Sequence, residues 1–378
     1  MLGIGLMSGT SLDGVDAALV EFKDEQVMLL HFVTKPYTAE LKERIFRNLF
    51  DQTANLSQIS SLNFELGQEF VQAIDLLLAQ TPYTYEDIAF VASHGQTIWH
   101  DPNATIPHTF QIGEASVIAY QTNIPVISNF RVMDVASGGQ GAPLVPFSEF
   151  YQFRSENRSI ALQNIGGISN VTYLPKAAKL EDVLSFDCGP GNVMIDYFMK
   201  KYFLLPYDEG GKTAFQGRIN TDLLRFLMAD PYLSKKPPKS TGREQYNMHM
   251  MEELALRFDF NKLQKEDVIA TITAFTADAI VDSYHRFLPT PDQVIVCGGG
   301  SHNEFILARM REQMSSPIKK GEEVGINSDA KEAVAFAVLG YRTFCHLPSN
   351  VKEATGAKED VILGQITLSP RKKHEFRH

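Results

Sequence analysis

The sequence predicts an α/β protein with two lobes that are built on the same plan. The chain has 378 residues, which exceeds one ordinary hydrophobic core and favours two domains. A group of three short strands with a glycine-rich turn opens the chain, and a second such group begins near residue 158. Helices and a further strand follow each group. This repetition concerns the structural plan and not the sequence itself.

The first half of the chain carries the pattern of one complete lobe. Three early strands joined by tight turns predict an antiparallel meander. Apolar residues in the segment 59–79 recur at spacings of three and four, which predicts an amphipathic helix. The predicted elements are, in order, strands 2–7, 15–22 and 27–33, helices 39–50 and 59–79, strand 88–92, helix 114–122 and strand 125–128.

The second half repeats this order after a segment that we predict to cross between lobes. Residues 130–146 are rich in Gly, Ala and Pro, which favours irregular structure. We therefore expect one lobe to comprise residues 1–130 with about 340–378, and the other residues 131–339. The predicted elements of the second half are strands 158–164, 169–174 and 183–186, helices 192–202, 219–228, 248–258 and 267–287, strand 293–297, and helices 303–314 and 330–346.

Composition and charge exclude several classes of protein. The formal net charge is -10, and no basic face of the kind that binds nucleic acid stands out. Cys188, Cys297 and Cys345 are far apart, so they predict neither a disulfide framework nor a metal site, and they fit a reducing cytosol. No signal peptide or membrane-spanning run is evident. We therefore expect a cytoplasmic protein without nucleic-acid or membrane partners.

The turn between the first two strands, residues 9–16, has the composition of a phosphate-binding loop. Its small residues offer backbone N–H groups and two hydroxyls, and glycine allows the backbone to approach an anion closely. Asp13 and Asp16 would repel phosphate, so they fit better as ligands of Mg²⁺ through water. A plain hairpin turn is the alternative interpretation.

Three further strands end in glycine-rich turns, at residues 166–167, 189–191 and 298–300. Asp187 lies at the end of the second of these strands, before a helix whose N-terminus favours anions. An Asp at such a position can act as a general base, or it can simply cap the turn. Residues 298–300 can let a flat ring lie against the backbone, or they can form an ordinary strand-to-helix connection.

These motifs together resemble the anhydro-N-acetylmuramic acid kinases, a family within the superfamily of actin, Hsp70 and sugar kinases. The resemblance covers the chain from end to end. Lys352, where the family pattern has proline, departs from it in a turn of the C-terminal tail and affects no catalytic role. The matching segments are 5–16, 93–97, 111–114, 129–131, 139–146, 164–170, 187–196, 298–303, 331–337 and 347–364.

The resemblance implies a two-lobed actin-like (ribonuclease H-like) ATPase fold, with duplicated mixed-sheet domains and a central cleft. It also implies a reaction in which 1,6-anhydro-N-acetylmuramic acid, ATP and water give N-acetylmuramic acid 6-phosphate and ADP, with Mg²⁺ as cofactor. Asp187 would remove a proton from the attacking water. The first lobe would hold phosphate and part of the sugar, and the second the catalytic aspartate and the nucleotide.

The family pattern also implies which residues bind each substrate. The ATP contacts are Gly9, Thr10, Ser11, Leu12, Asp13, Gly14, Val15, Asp16, Gly166, Gly167, Gly189, Gly298, Gly299, Gly300 and Asn303. The sugar contacts are Gln96, Thr97, Arg131, Asp187 and Glu332. Arg131 suits the lactyl carboxylate because guanidinium pairs with carboxylate as a fork; a surface salt bridge is its alternative. Glu332 could equally be an exposed helix carboxylate.

Two other functions stay open at this point. A different sugar kinase of the superfamily would keep the phosphate turns but would need no base to activate water. A non-catalytic nucleotide-dependent sensor would bind ATP without sugar-dependent turnover. The partners that we expect are the amino sugar and ATP, with a homodimer as the assembly that the family suggests.

Overall fold

The computed structural model describes residues 1–9, 12–23, 26–50, 52–242 and 245–371. The strands are β1 (Leu2–Ser8), β2 (Gly14–Lys23), β3 (Gln26–Pro36), β4 (Ile88–Asp101), β5 (His108–Ile112), β6 (Val126–Ser128), β7 (Ile160–Ile165), β8 (Ile168–Leu174), β9 (Leu184–Pro190), β10 (Gln293–Cys297), β11 (Ile318–Lys320) and β12 (Gln365–Thr367). The helices are α1 (Ala39–Arg47), α2 (Leu56–Leu78), α3 (Ala115–Thr122), α4 (Phe130–Ala136), α5 (Val145–Phe153), α6 (Val193–Phe203), α7 (Lys212–Gln216), α8 (Thr221–Met228), α9 (Met248–Arg257), α10 (Lys265–Phe287), α11 (Glu304–Gln313), α12 (Lys331–Phe344) and α13 (Lys352–Thr355).

The chain forms two compact units. Unit 1 comprises Met1–Gln152 and the chain from Asp329 onward, and unit 2 comprises Phe153–Ser328. These divisions differ from the expected ones at 130 and about 340. The physical reason is packing within unit 1: Lys331 Nζ lies 2.5 Å from Glu149 Oε1, and both side chains are almost fully buried. The segments on either side of unit 2 are therefore held together in unit 1.

The two units share one sheet topology. In unit 1 the strand order is β12-β6-β4-β1-β2-β3, with β5 paired to β4. Strands β1, β2 and β3 form an antiparallel meander, and β4 and β6 add in parallel. In unit 2 the order is β11-β10-β7-β8-β9, where β7, β8 and β9 form the meander and β10 and β11 are parallel to β7. The predicted α/β fold with two duplicated mixed-sheet domains is confirmed.

Each sheet is covered by a long helix whose apolar residues form the core. In α2 the residues that predicted an amphipathic helix, among them Leu62, Leu66 and Phe70, are all buried. In α10 burial extends around most of the helix, because other helices of unit 2 pack on its outer side. Within the described ranges, no helix is long and apolar enough to cross a membrane.

Several segments differ from their sequence predictions, among them β4 with β5, residues 130–146 and the tail. Strand β4 continues to Asp101 and pairs with β5, although the prediction ended it at residue 92 and contained no second strand. Residues 130–146, predicted to cross between lobes, instead form α4 and the start of α5 within unit 1. The tail adds β12, which pairs with β6. Polar side chains on both sides of β4 and β5 hid the strand alternation.

Candidate active site

The first glycine-rich turn lies between β1 and β2 in unit 1. Thr10 and Ser11 lie outside the described residues. The turn closes with the Leu12 N–H donating to the Gly9 carbonyl at 3.2 Å, and the Leu12 side chain is buried in the core. Gly14 is required by packing, since a Cβ there would lie 2.2 Å from the Lys35 carbonyl oxygen.

Leu12, Gly14 and Val15 thus hold the turn in place, because Val15 is also fully buried in the core. Among the described residues of the turn, Leu12, Gly14 and Val15 shape it, whereas Asp13 and Asp16 carry the carboxylates that can meet a ligand.

Asp16 is the more enclosed of the two carboxylates. The Thr34 hydroxyl donates to its Oδ1 at 2.6 Å. Burial raises the pKa of Asp16, and the charges of Asp329 and Asp13 raise it further, against the effect of that hydrogen bond. Asp13 is exposed and pairs with Lys42 at 3.3 Å. Over the described parts of the chain, no group of three or more His, Cys, Asp or Glu residues is placed to hold a metal ion by itself.

Gln96 is held inside unit 1 where β1 and β4 run side by side. The Ser8 hydroxyl donates to Gln96 Oε1 at 2.6 Å and lies 2.8 Å from the Tyr37 hydroxyl. Gln96 is fully buried, so its structural role is to take part in this polar network. Thr97, the next residue, is partly exposed, and its Oγ1 accepts a hydrogen bond from Gln111 Nε2 at 3.3 Å.

Arg131, in the first turn of α4, is oriented by two acceptors. Its Nε donates to His94 Nε2 at 3.1 Å, and its Nη1 donates to the Gly141 carbonyl at 2.7 Å. Burial and the Arg131 charge lower the pKa of His94 to about 3, so its ring is neutral and Nε2 can accept. Burial lowers the pKa of Arg131 to about 10, which leaves it charged. Nη2 has no hydrogen-bond partner among the described residues.

Glu332 lies in the first turn of α12 and is electrostatically coupled to Arg131. Burial among the surrounding groups is the largest effect and raises the pKa of the Glu332 carboxyl, while the charges of Arg131 and Lys331 lower it. The residue still keeps part of its surface exposed on unit 1. The structure thus places Gln96, Arg131 and Glu332 on three elements that pack together around His94 and Phe336, whose rings are 4.6 Å apart. Arg131 thus lies beside both His94 and Glu332; that these residues contact the sugar stays a prediction.

In unit 2 the Gly166-Gly167 turn docks on the start of α6. The N–H groups of Asn192 and Val193 donate to the carbonyls of Gly166 and Gly167 at 2.8 and 3.1 Å. Gly191 permits this approach, since a Cβ there would lie 2.2 Å from the Gly166 oxygen. The N–H groups of Asn192 and Val193 are therefore already satisfied and are not available to an anion. That the end of this helix binds an anion stays a prediction.

Two of the glycines in these turns have free space beside their backbones. A Cβ on Gly167 would meet nothing within 4 Å among the described residues, and one on Gly299 would come no closer than 3.8 Å, to Asn192 Nδ2. Gly298 and Gly300 are different, because a Cβ on either would lie within 2.7 Å of Asn164 or Ile165. Gly167 and Gly299 can accept a ligand against the backbone, whereas Gly298 and Gly300 pack against β7.

Asn303 is a helix cap in this structure. Its Oδ1 accepts hydrogen bonds from the N–H groups of Phe305 and Ile306 at 3.1 and 3.3 Å, so it begins α11. The sequence reasoning missed a neighbouring turn, Gly210-Gly211, in which both residues have positive φ. A Cβ on Gly211 would lie 2.5 Å from Asn303 Oδ1, whereas Gly210 is open. The Gly-Gly pair before α7 is the signal that could have revealed it.

Asp187 is held on β9 by a distant segment of the chain. The Thr241 N–H donates to Asp187 Oδ2 at 2.9 Å. The Asp187 N–H donates to the Lys239 carbonyl at 3.1 Å, and the Asp187 carbonyl accepts from the Tyr232 hydroxyl at 2.9 Å. The carboxylate is half-buried and does more than cap its own turn. Gly189 follows with φ +146 and packs against Leu233.

The family model described as anhydro-N-acetylmuramic acid kinase matches residues 1–369. The chain belongs to the anhydro-N-acetylmuramic acid kinase family. A kinase of this name from Bacillus thuringiensis subsp. konkukian (strain 97-27) is 46% identical over 380 residues, covering 97% of this chain and 99% of that protein. One from Bacillus cereus (strain 03BB102) is 46% identical with the same coverage. The resemblance stated from the sequence is confirmed, and the chain is a kinase.

Solved structures with similar folds come from more distant proteins. The activator of 2-hydroxyisocaproyl-CoA dehydratase from Clostridium difficile, with bound ADPNP, aligns with a TM-score of 0.47 at 14% identity, covering 92% of this chain and 96% of that one. A ROK family glucokinase from Streptomyces griseus, in complex with glucose and AMPPNP, aligns with a TM-score of 0.39 at 13% identity, covering 90% and 99%.

Proposed function

We propose that this kinase opens the 1,6-anhydro bridge of 1,6-anhydro-N-acetylmuramic acid with water and phosphorylates O6 with ATP, as a step in peptidoglycan recycling. Membership of the family supports the substrate. The observation that carries the mechanism is Asp187, a half-buried carboxylate whose Oδ2 accepts the Thr241 N–H at 2.9 Å. That bond fixes one oxygen and orients the carboxylate as a general base.

The proposed reaction balances with one base and no covalent intermediate. Asp187 takes a proton from water while the water oxygen attacks C1. The electron pair of the C1–O6 bond passes to O6 as that bond breaks. O6 then attacks the γ-phosphorus of ATP, and ADP leaves. The products are N-acetylmuramic acid 6-phosphate and ADP.

Unit 1 is proposed to bind the sugar. Arg131 presents an unpaired Nη2 and a fixed Nε and Nη1, so it suits the lactyl carboxylate. Glu332 and Thr97 carry oxygens that can accept hydrogen bonds from sugar hydroxyls. Gln96 contributes by shaping the neighbouring strand ends, because its Oε1 is already bonded to Ser8.

The nucleotide is proposed to contact the outward-facing parts of the glycine-rich turns. Gly167 and Gly299 in unit 2 leave space beside their backbones, and Gly9 in unit 1 is included because the family pattern implies it. Asp13 and Asp16 would hold Mg²⁺ through its water ligands; carboxylates are ligands of the kind that this ion prefers. Burial is the main cause of the raised pKa of Asp16, and the charges of Asp329 and Asp13 add to it; a cation would offset those charges. The ion would neutralise charge on the transferred phosphoryl group.

The test is mass spectrometry of the product formed in water labelled with oxygen-18. We expect the label on the C1 hydroxyl and phosphate on O6 of the same molecule. Label on phosphate instead, or an unlabelled C1, would overturn the coupled mechanism. The rival sugar kinase is tested by comparing the anhydro sugar with free N-acetylmuramic acid. Faster turnover of the free sugar would favour the rival.

We also propose a cytoplasmic homodimer. The dimer rests on the family resemblance, and the location rests on the three widely separated cysteines, none of which forms a disulfide bond. Light scattering on the purified chain of 42.3 kDa should give about twice that mass over a range of concentrations. A mass equal to one chain would contradict the dimer, and recovery from the periplasmic fraction would contradict the location.

A further inference from the structure

Lys239 is a buried lysine beside Asp187 that the proposed mechanism does not use. Its side chain lies among three aromatic rings, with Nζ 4.8 Å from the ring centroids of Tyr232 and Phe287 and 5.7 Å from that of Phe186. Only 8% of the residue is exposed. Nζ donates to the Leu233 carbonyl at 3.2 Å. Burying an ammonium group is costly, and ring faces and a carbonyl offset part of that cost.

The backbone of Lys239 and of Thr241 contacts Asp187 on both of its polar ends. The Lys239 carbonyl accepts the Asp187 N–H at 3.1 Å. Two residues later, the Thr241 N–H donates to Asp187 Oδ2 at 2.9 Å. The segment 239–241 thus lies along the end of β9 and sets the direction of the carboxylate.

This segment is anchored at its other end as well. The Thr241 hydroxyl donates to Gln245 Oε1 at 3.1 Å. Gln245 Nε2 in turn donates to the Asp230 carboxylate at 3.3 Å, and the buried Tyr246 hydroxyl donates to the same carboxylate at 3.0 Å. The buried Lys239 side chain therefore anchors one end of the segment and the Asp230 carboxylate, through Gln245, anchors the other. The Thr241 N–H lies between these two anchors in the chain.

We propose that Lys239 is a positioning residue for catalysis: its buried ammonium group anchors the segment 239–241, so that the Thr241 N–H holds Asp187 in the orientation that receives the proton of water. This inference rests on the proposed role of Asp187. Lys239 contacts no substrate in the proposed mechanism, and it belongs to none of the glycine-rich motifs or family segments of the sequence.

The charge of Lys239 also supports the role of Asp187 as a base, because it favours the ionised carboxylate. The ionisable groups around Nζ are Cys188, Asp282, Arg286 and Asp187, of which Arg286 alone disfavours its charged form; burial is the largest effect and lowers the pKa of Lys239. An ammonium group near Asp187 favours the ionised carboxylate. Loss of that charge should make Asp187 easier to protonate, which moves the acid limb of the rate profile to higher pH.

The test compares K239M with K235M in the full-length enzyme. Methionine keeps an unbranched apolar stem among the rings but removes the charge and the donor. Lys235 is the matched control, because its Nζ also lies over the Tyr232 ring, at 5.6 Å, but the residue is exposed. For K239M we expect kcat to fall about 10- to 100-fold, part of the effect of a general base. KM values should stay within about 3-fold, and the acid limb of kcat/KM should move to higher pH. K235M should match the wild type.

The possible outcomes separate this inference from the proposed function. If K239M keeps the wild-type kcat and acid limb, Lys239 is structural and the inference is overturned. If K239M does not fold, K239Q, which keeps a donor for the Leu233 carbonyl without the charge, is measured against the same two criteria. D187N is measured in parallel. Substantial turnover by D187N would overturn the base assignment itself, and the inference with it; an inactive D187N beside a fully active K239M would overturn the inference alone.

Discussion

The guanidinium of Arg131 shows how one buried histidine can prepare a binding group. Because the pKa of His94 is lowered to about 3, its ring stays neutral and accepts the Arg131 Nε proton. A protonated ring could not accept and would repel the guanidinium. Hydrogen bonds at Nε and Nη1 thereby fix the Arg131 guanidinium, and Nη2 is left for a ligand. The sequence could indicate the arginine, but not the neutral histidine that orients it.

Replacement of Arg131 by lysine should weaken sugar binding specifically. Lysine keeps the charge but loses the fork and the bond to His94, and hydrogen bonds to charged groups contribute about 1.5–3 kcal/mol. We expect KM for the anhydro sugar to rise on the order of 10- to 100-fold with KM for ATP unchanged. Steady-state kinetics measure both constants.

The control for this substitution is a sugar without the carboxylate. 1,6-Anhydro-N-acetylglucosamine lacks the lactyl group, so wild type and R131K should differ little in KM for it. An equal loss on both sugars would show that Arg131 does not contact the carboxylate.

His94 should also make stability depend on pH. Its pKa is about 3 in the folded protein and about 6.5 when unfolded, so the unfolded state binds the proton first as the pH falls. The free energy of unfolding should therefore decline below about pH 6.5, by up to about 1.4 kcal/mol per pH unit. H94Q, which keeps an acceptor for Arg131, should lack this contribution.

The measurement is urea unfolding at pH 7.5 and pH 5. We expect the wild type to lose about 2 kcal/mol more than H94Q over this interval, from the same linkage. H108Q removes an exposed histidine on β5 and should follow the wild type. If H94Q and the wild type lose the same amount, His94 titrates normally in the folded protein.

At the scale of the element, two adjacent glycines in the turn after β10 should respond differently to alanine. A Cβ on Gly300 would lie 2.2 Å from Ile165 Cγ2, whereas one on Gly299 has its nearest described neighbour at 3.8 Å. G300A should therefore cost about 1–3 kcal/mol through overpacking. G299A should leave stability within about 1 kcal/mol but raise KM for ATP, because it fills the space proposed for the nucleotide.

Thermal unfolding and ATP kinetics on both variants check this pair. Each glycine serves as the control for the other. A stable, fully active G299A would indicate that the nucleotide does not approach the backbone at this turn. A destabilised G299A would indicate that the open space beside it is smaller than the structure gives.

The elements that the sequence predicted well are those whose burial follows a simple period. Helix α2 was predicted at 59–79 and spans Leu56–Leu78. The residues whose three- and four-residue spacing predicted it are all buried, namely Leu62, Leu66, Phe70, Ile74 and Leu77. Strand β5 was missed because it is an edge strand with polar residues on both faces. Its Gln111 turns toward Thr97 and Thr109, which is a tertiary contact that no local pattern encodes.

The candidate site was predictable to a similar and limited extent. Chemical character together with the family resemblance indicated Asp187, Arg131 and Glu332, whose roles stay predictions. Lys239 was invisible because a lysine in a loop is usually exposed, and only the folded chain encloses it in aromatic rings. The Gly298 to Gly300 run looked uniform in sequence, yet two of its glycines pack against β7 and one is open. Local motifs give residue types, and packing decides which of them face a ligand.

At the scale of the whole molecule, unit 1 is discontinuous in sequence while unit 2 is a single continuous segment. Helix α12 packs on β1 so closely that a Cβ on Gly5 would lie 1.9 Å from the Ala333 carbonyl oxygen. Its Tyr341 stacks on Phe22 of β2 with ring centroids 4.4 Å apart. Strand β12 then pairs with β6. The last part of the chain is thus part of the core of unit 1.

Truncation after residue 328 should therefore unfold unit 1 and spare unit 2. The truncated chain loses α12, which covers β1 and β4, but it keeps all strands of the unit 2 sheet and the buried helix α10. Hydrogen–deuterium exchange should show rapid exchange over residues 2–128 and continued protection over β7 to β10, since exchange reports local stability. A second truncation after Arg371 keeps every contact described above and should exchange like the full chain. Protection of β1 and β4 in the shorter chain would show that unit 1 does not need α12. Loss of protection in α10 would show that unit 2 cannot fold without the segment after residue 328.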